Sequence, residues 1–92
     1  MSVHKYSVPY IVLAKGKQLL GNDFKLVPST RKDKKYATID PNTGKKIHFG
    51  GMYEDFTKHK DEARRKRFRT RNAKWKHTKP YTPSYLSYHL LW

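Results

Sequence analysis

Lys35-Tyr36-Ala37-Thr38-Ile39, Asp40-Pro41-Asn42-Thr43-Gly44 and Lys45-Lys46-Ile47-His48-Phe49 read, in that order, as strand, turn and strand. Tyr36 with Thr38, and Ile47 with Phe49, are β-forming residues two apart, so each pair falls on one face. Between the strands, Pro41 fixes one backbone angle and Gly44 accepts a positive one, as a tight turn requires. Gly50-Gly51 predicts the end of this antiparallel pair.

Working outward, helices follow the hairpin. Asp55 or Thr57 is suited to cap one. Asp61 and Glu62 lie in its early turns, and Arg64-Arg65-Lys66-Arg67-Phe68-Arg69-Thr70-Arg71 fills the later ones. Acids first and bases last complement the helix dipole. Asp61 with Arg65, and Glu62 with Lys66, have the favourable i,i+4 spacing. Few positions are apolar, so this helix is predicted to be solvated or clasped by a partner. Thr82-Pro83 then predicts a cap with Pro at the first position of a short helix reaching about Leu90. On it, Leu86 and Leu90 share one face, and Tyr85 and Tyr88 another.

Before the hairpin the reading is extended. Tyr6, Val8, Tyr10, Val12 and Ala14 alternate, which predicts a strand over residues 3–14 with Pro9 at an edge or bend. Phe24 to Val27 reads as a second short strand ended by Pro28. The expected class is α+β: an extended N-terminal arm over 1–30, then a hairpin and two-helix basic domain over 31–92.

Composition bounds the function. Ninety-two residues carry a formal charge of +14, which favours polyanions or acidic protein faces as partners. Only 36% of residues are hydrophobic, yet 14% are aromatic, so the expectation is a thin core built from large rings. The absence of cysteine excludes disulfides and Cys-based zinc sites. No apolar run has the length of a membrane span, and Val8 to Ala14 is too poorly flanked for a signal peptide. These features predict a cytoplasmic, nuclear or virion location.

The last third separates two chemistries. From Ala63 to Trp92 there is no acidic residue, and from Pro80 onward no charged one. Arg64, Arg65, Lys66, Arg67, Arg69, Arg71, Lys74 and Lys76 are the candidate partner-binding or polyanion-binding residues. Phosphates, bidentate contacts to acidic protein faces, or water alone are all compatible with them. Phe68, Trp75, Tyr81, Tyr85, Tyr88 and Trp92 are candidate aromatic anchors, serving either this domain's core or a neighbour's surface. The tail is expected to meet Ile47 and Phe49. Trp92 is expected to be docked, because chain ends otherwise fray.

Catalytic and metal signals are weak. Asp55, His59 and Asp61 lack a second histidine one turn away and read as caps and helix pairs. Pro41 to Lys46 lacks the first glycine and the Lys-Ser/Thr ending of a phosphate loop. No nucleophile triad with supporting glycines occurs. The expectation is no enzyme, no cofactor, no metal and no small-molecule substrate.

Four pieces carry a resemblance: Gly44 to Gly50, Asp55 to Asp61, Arg64 to Asn72, and Ser87-Tyr88-His89-Leu90-Leu91-Trp92. In order and spacing they resemble a family of small basic proteins of large and giant DNA viruses, whose members end in His-Leu-Leu-Trp. The chain departs from that pattern at Asn72, where His is commoner, and over Pro83 to Leu86. The resemblance implies a viral origin and a virion-associated role, without an activity. The leading expectation is a minor capsid or cement component that bridges capsid or other virion proteins with acidic surfaces. The alternative is a virion protein that binds nucleic acid and helps package DNA, with a ribosomal-protein-like module a weaker third.

Overall fold

A computed structural model describes residues 5–92. A three-stranded antiparallel sheet and several helices form a small α+β domain. Helix α1 spans Pro9–Leu20; strands β1, β2 and β3 span Val27–Pro28, Lys34–Ile39 and Lys46–Gly51. Helices α2 (Phe56–His59) and α3 (Glu62–Arg71) follow. A 3-10 segment (Ala73–His77), helix α4 (Pro83–Leu86) and a π-helical turn (Ser87–Leu91) complete the chain.

The hairpin forms as its sequence predicts. Tyr36 pairs with Phe49 and Thr38 with Ile47, so the anticipated apolar pairs face each other across the strands. Asp40 Oδ1 accepts from the Asn42 amide at 2.9 Å, and the Gly44 amide donates to the Asp40 carbonyl at 2.8 Å. Gly44 has φ of 73°, the left-handed conformation that its place in the turn needs. Gly50-Gly51 does not end the sheet: β3 runs through Gly51, which pairs with Lys34. β1 is confined to two residues on the edge of β2, where Pro28 needs no ladder donor on its outer side. Phe24, expected in that strand, instead lies buried in the core.

The largest correction concerns the N-terminal arm. Over Pro9–Leu20 it is a helix, not a strand, and Val12 enters the common hydrophobic cluster. Pro9 occupies the first turn of this helix, where its missing N–H costs nothing. Val12 and Gly16, one turn apart, face inward, and Leu20 continues the stripe. A Cβ on Gly16 would lie 2.2 Å from the Phe24 ring, so only glycine lets the helix approach that ring. The part of the predicted strand before residue 5 lies outside the described residues.

The predicted single basic helix is divided. Asp55 caps α2, which ends at Lys60 with φ of 53°, and Asp61 then caps α3. Asp61 therefore contacts backbone, accepting from the Ala63 and Arg64 amides at 3.0 and 3.3 Å, and does not reach Arg65. Glu62 pairs with Arg65 at 3.5 Å, not with Lys66.

The tail closes the domain. The Thr82 hydroxyl accepts from the Tyr85 amide, with Pro83 at the first helical position. Leu86, Leu90, Leu91 and Trp92 are all buried. In the π turn the Trp92 amide donates a hydrogen bond to the Ser87 carbonyl at 3.2 Å. Three consecutive buried residues, Leu90, Leu91 and Trp92, cannot share one α-helical face, so this end of the tail is covered on more than one side. Trp92 stacks on Phe68 with ring centroids 4.4 Å apart and planes 8° from parallel, and Trp75 meets Phe68 edge-on.

A polar cluster joins the hairpin to α2. Lys35 Nζ lies 3.1 Å from Asp55 Oδ2, and neither side chain is exposed. Lys35 also donates to the Tyr53 carbonyl at 2.8 Å. Asp55 Oδ1 accepts from both the amide and the hydroxyl of Thr57. The Thr57 hydroxyl in turn accepts from the Val8 amide at 2.9 Å and meets the Ser7 hydroxyl. Burial pulls the Lys35 ammonium below its ordinary pKa, and the Asp55 charge opposes that pull.

A candidate basic interface on the third helix

The candidate cations divide into two sets according to which side of α3 they occupy. Phe68 is the buried centre of the helix. Arg65 and Arg69, three before and one after it, turn the same way. Arg65 Nε donates to the Trp92 main-chain oxygen at 2.7 Å, and its guanidinium lies 4.9 Å from the Phe56 ring centroid. Arg69 sits 4.8 Å from the Tyr88 centroid. Burial first, then the neighbouring Arg65 charge, pulls the Arg69 guanidinium below its ordinary pKa. These two arginines are half-buried and pack on rings of the domain's own core.

Arg64, Lys66, Arg67, Arg71, Lys74 and Lys76 remain exposed. Arg64, Arg67 and Arg71 follow steps of three and four, which places them on one stripe. Beside that stripe is a depression of about 240 Å³ lined by these arginines with Tyr53, Phe68 and Trp92. On the opposite flank, Lys66 and Lys76 share a second depression with Glu62, Arg65 and Arg69.

The anchors divide in the same manner. Phe68, Tyr88 and Trp92 are buried, while Trp75, Tyr81 and Tyr85 are half-buried. His89 links the tail to the basic segment: its ring lies 4.3 Å from that of Tyr85, and Nε2 donates to the Lys76 carbonyl at 3.1 Å. The rings thus chiefly build this domain's own core.

The Asp55, His59 and Asp61 constellation separates. Asp55 is committed to Lys35 and Thr57, Asp61 caps α3, and His59 Nδ1 accepts from the Asp61 amide at 2.9 Å. Among the described residues, no group of three or more His, Asp or Glu side chains converges as a metal site. No described helix is long and apolar enough to cross a membrane. His48 meets the Ser29 hydroxyl at 2.7 Å.

Two residues escaped sequence reasoning. Tyr53 lines the arginine depression, and Lys35 supports it through the Tyr53 carbonyl. Neither carries a periodic or motif signal. A lysine at an alternating strand position ordinarily faces water, and burying it requires the distant Asp55.

No curated protein and no solved structure matches the chain. A family model does match, over residues 24–72, from Phe24 before β1 to the end of α3. That span is just over half the chain and contains the hairpin, Asp55 and the whole arginine stripe; α1 and the docked tail lie outside it. The chain therefore belongs to the family of unknown function DUF5754.

Proposed function

We propose that the chain is a non-enzymatic structural protein of a large DNA virus, a minor capsid or cement component that bridges larger capsid proteins through their acidic surfaces. One observation carries the binding part of this reading. Phe68 is buried, stacked on Trp92 and met edge-on by the half-buried Trp75, while the guanidinium and ammonium groups of Arg64, Lys66, Arg67, Arg71, Lys74 and Lys76 stay outside. A binder of single-stranded nucleic acid needs exposed rings as well as charge. A binder of carboxylates needs only the forks. The viral setting is supported by the resemblance over Gly44 to Gly50, Asp55 to Asp61, Arg64 to Asn72 and Ser87 to Trp92.

DNA packaging is the second reading. It is favoured by the absence of any acid after Glu62, which leaves the outward charge of the last third unopposed. Fractionation of virions separates the two readings. A cement protein leaves with the capsid shell when shells are stripped, whereas retention on the DNA core contradicts the proposal. In solution, a packager binds duplex DNA with a steep loss of affinity as salt rises. Binding no stronger than that of a scrambled peptide of equal charge removes the packaging alternative.

A further inference from the structure

We propose that the depression between α3 and the tail is a receptor for acidic side chains of a protein partner. Arg64, Arg67 and Arg71 supply the donors, and Tyr53 with Trp92 forms the wall. This inference rests on the reading of the chain as a binder of acidic protein surfaces and assigns that binding to one site.

Three observations converge. The arginines share one stripe, all are exposed, and among the described residues none has an ion-pair partner. Each planar fork can therefore meet a carboxylate with two hydrogen bonds.

The wall is held in place. Phe68 stacks under Trp92, Arg65 grips the Trp92 main-chain oxygen, and the Tyr53 ring lies 6.4 Å from that of Trp92. Lys35 anchors Tyr53 from below, bonding its carbonyl and sitting 5.0 Å from its ring centroid. A site whose walls are already ordered loses less entropy on binding. The Tyr53 phenol, raised in pKa chiefly by burial, stays a neutral donor beside the arginines.

The two flanks of α3 also differ. The arginine depression has no acid among its lining residues, whereas Glu62 lines the opposite one together with Lys66 and Lys76. Acid-free lining thus follows Arg67 and Arg71, which also share a depression with Lys66 and Thr70, while the Tyr53 and Trp92 rings wall only the first. A small, one-sided site of about 240 Å³ suits one or two carboxylate side chains better than a continuous phosphate backbone.

The test uses the full chain carrying Trp75→Phe, so that Trp92 is the remaining tryptophan reporter. An oligoglutamate peptide is titrated, with inorganic phosphate and a short duplex DNA as competitors at matched ionic strength. The peptide should bind and shift Trp92 emission. Arg64→Gln/Arg67→Gln/Arg71→Gln should weaken it by about tenfold or more, as expected for lost charge-assisted bonds. Lys25→Gln/Lys45→Gln/Lys46→Gln removes the same charge from exposed lysines outside α3 and should cost less than about threefold. Circular dichroism should show both triples folded, because the altered side chains are exposed. If both triples weaken binding equally, or if phosphate or DNA displaces the peptide as well as free peptide does, the site is overturned while a diffuse basic face survives. If the unaltered arginines and lysines bind no peptide at all, the site and the wider reading both fail.

Discussion

Arg65 and Arg67 are two residues apart on one helix, yet the fold treats them oppositely. Arg65 covers the Phe56 ring and holds the Trp92 main chain. Arg67 stands in solvent beside a depression. Lys35 and Lys66 form a second such contrast, the first wholly enclosed with Asp55 and the second exposed. The lesson is that a count of cations overstates the charge available to a partner. Some cations are structural: the guanidinium is planar and weakly hydrated enough to lie on a ring. Others remain outside because α3 has only one apolar residue, Phe68, buried.

The strongest way to break this division is to unpair the enclosed charge. Asp55→Ala strands the Lys35 ammonium and removes the α2 cap, and should destabilise the domain by about 3–5 kcal/mol in urea denaturation. Adding Lys35→Met should restore part of that loss, because the buried cation is then gone. A loss below about 1 kcal/mol for Asp55→Ala would mean that water reaches the pair.

Alkali probes the next residue along the same strand. Burial pushes the Tyr36 phenol up to about 12, against a smaller opposing effect of the Ser7 hydroxyl. The unfolded chain loses this proton near pH 10, while the folded one keeps it to about pH 12. Folding stability from this group is therefore complete below pH 10 and falls as pH rises through that interval, by up to about 3 kcal/mol. Lys35 acts with the opposite sign, since its pKa is lowered on folding. The comparison is therefore Tyr36→Phe against the parent chain, and the variant should show the shallower alkaline decline. Parallel declines would place the phenol in water.

A smaller change should sharpen the division at its origin. Asp61→Ala removes the acceptor for the Ala63 and Arg64 amides and should cost about 1 kcal/mol. Amide exchange should accelerate first at the start of α3, ahead of Arg67 and Arg71.

The hairpin was legible in the sequence because its pattern is local: a period of two, then Pro41 and Gly44 at turn positions. The Thr82-Pro83 cap was legible for the same reason. The N-terminal segment was misread because Tyr6 to Ala14 satisfies both periods. What favours the helix is Gly16 against Phe24, a contact that no local pattern reveals. The break at Lys60 escaped because Asp55 and Asp61 are both good caps and the charge order suits one long helix equally well. The basic stripe could be located from spacing alone. That Arg65 and Arg69 would turn inward depends on where Trp92, Phe56 and Tyr88 pack, and hence on tertiary structure.

Two charge-matched double variants compare the faces directly: Arg65→Gln/Arg69→Gln inside and Arg64→Gln/Arg67→Gln outside. Each removes two positive charges from α3, so net charge cannot distinguish them. Urea denaturation at neutral pH is the measurement. The inner pair should lose about 2 kcal/mol or more, through the Trp92 hydrogen bond and two ring contacts. The outer pair should stay within about 0.5 kcal/mol of the parent. Equal midpoints for the two variants would contradict the division of α3 into a structural face and a solvent-exposed face.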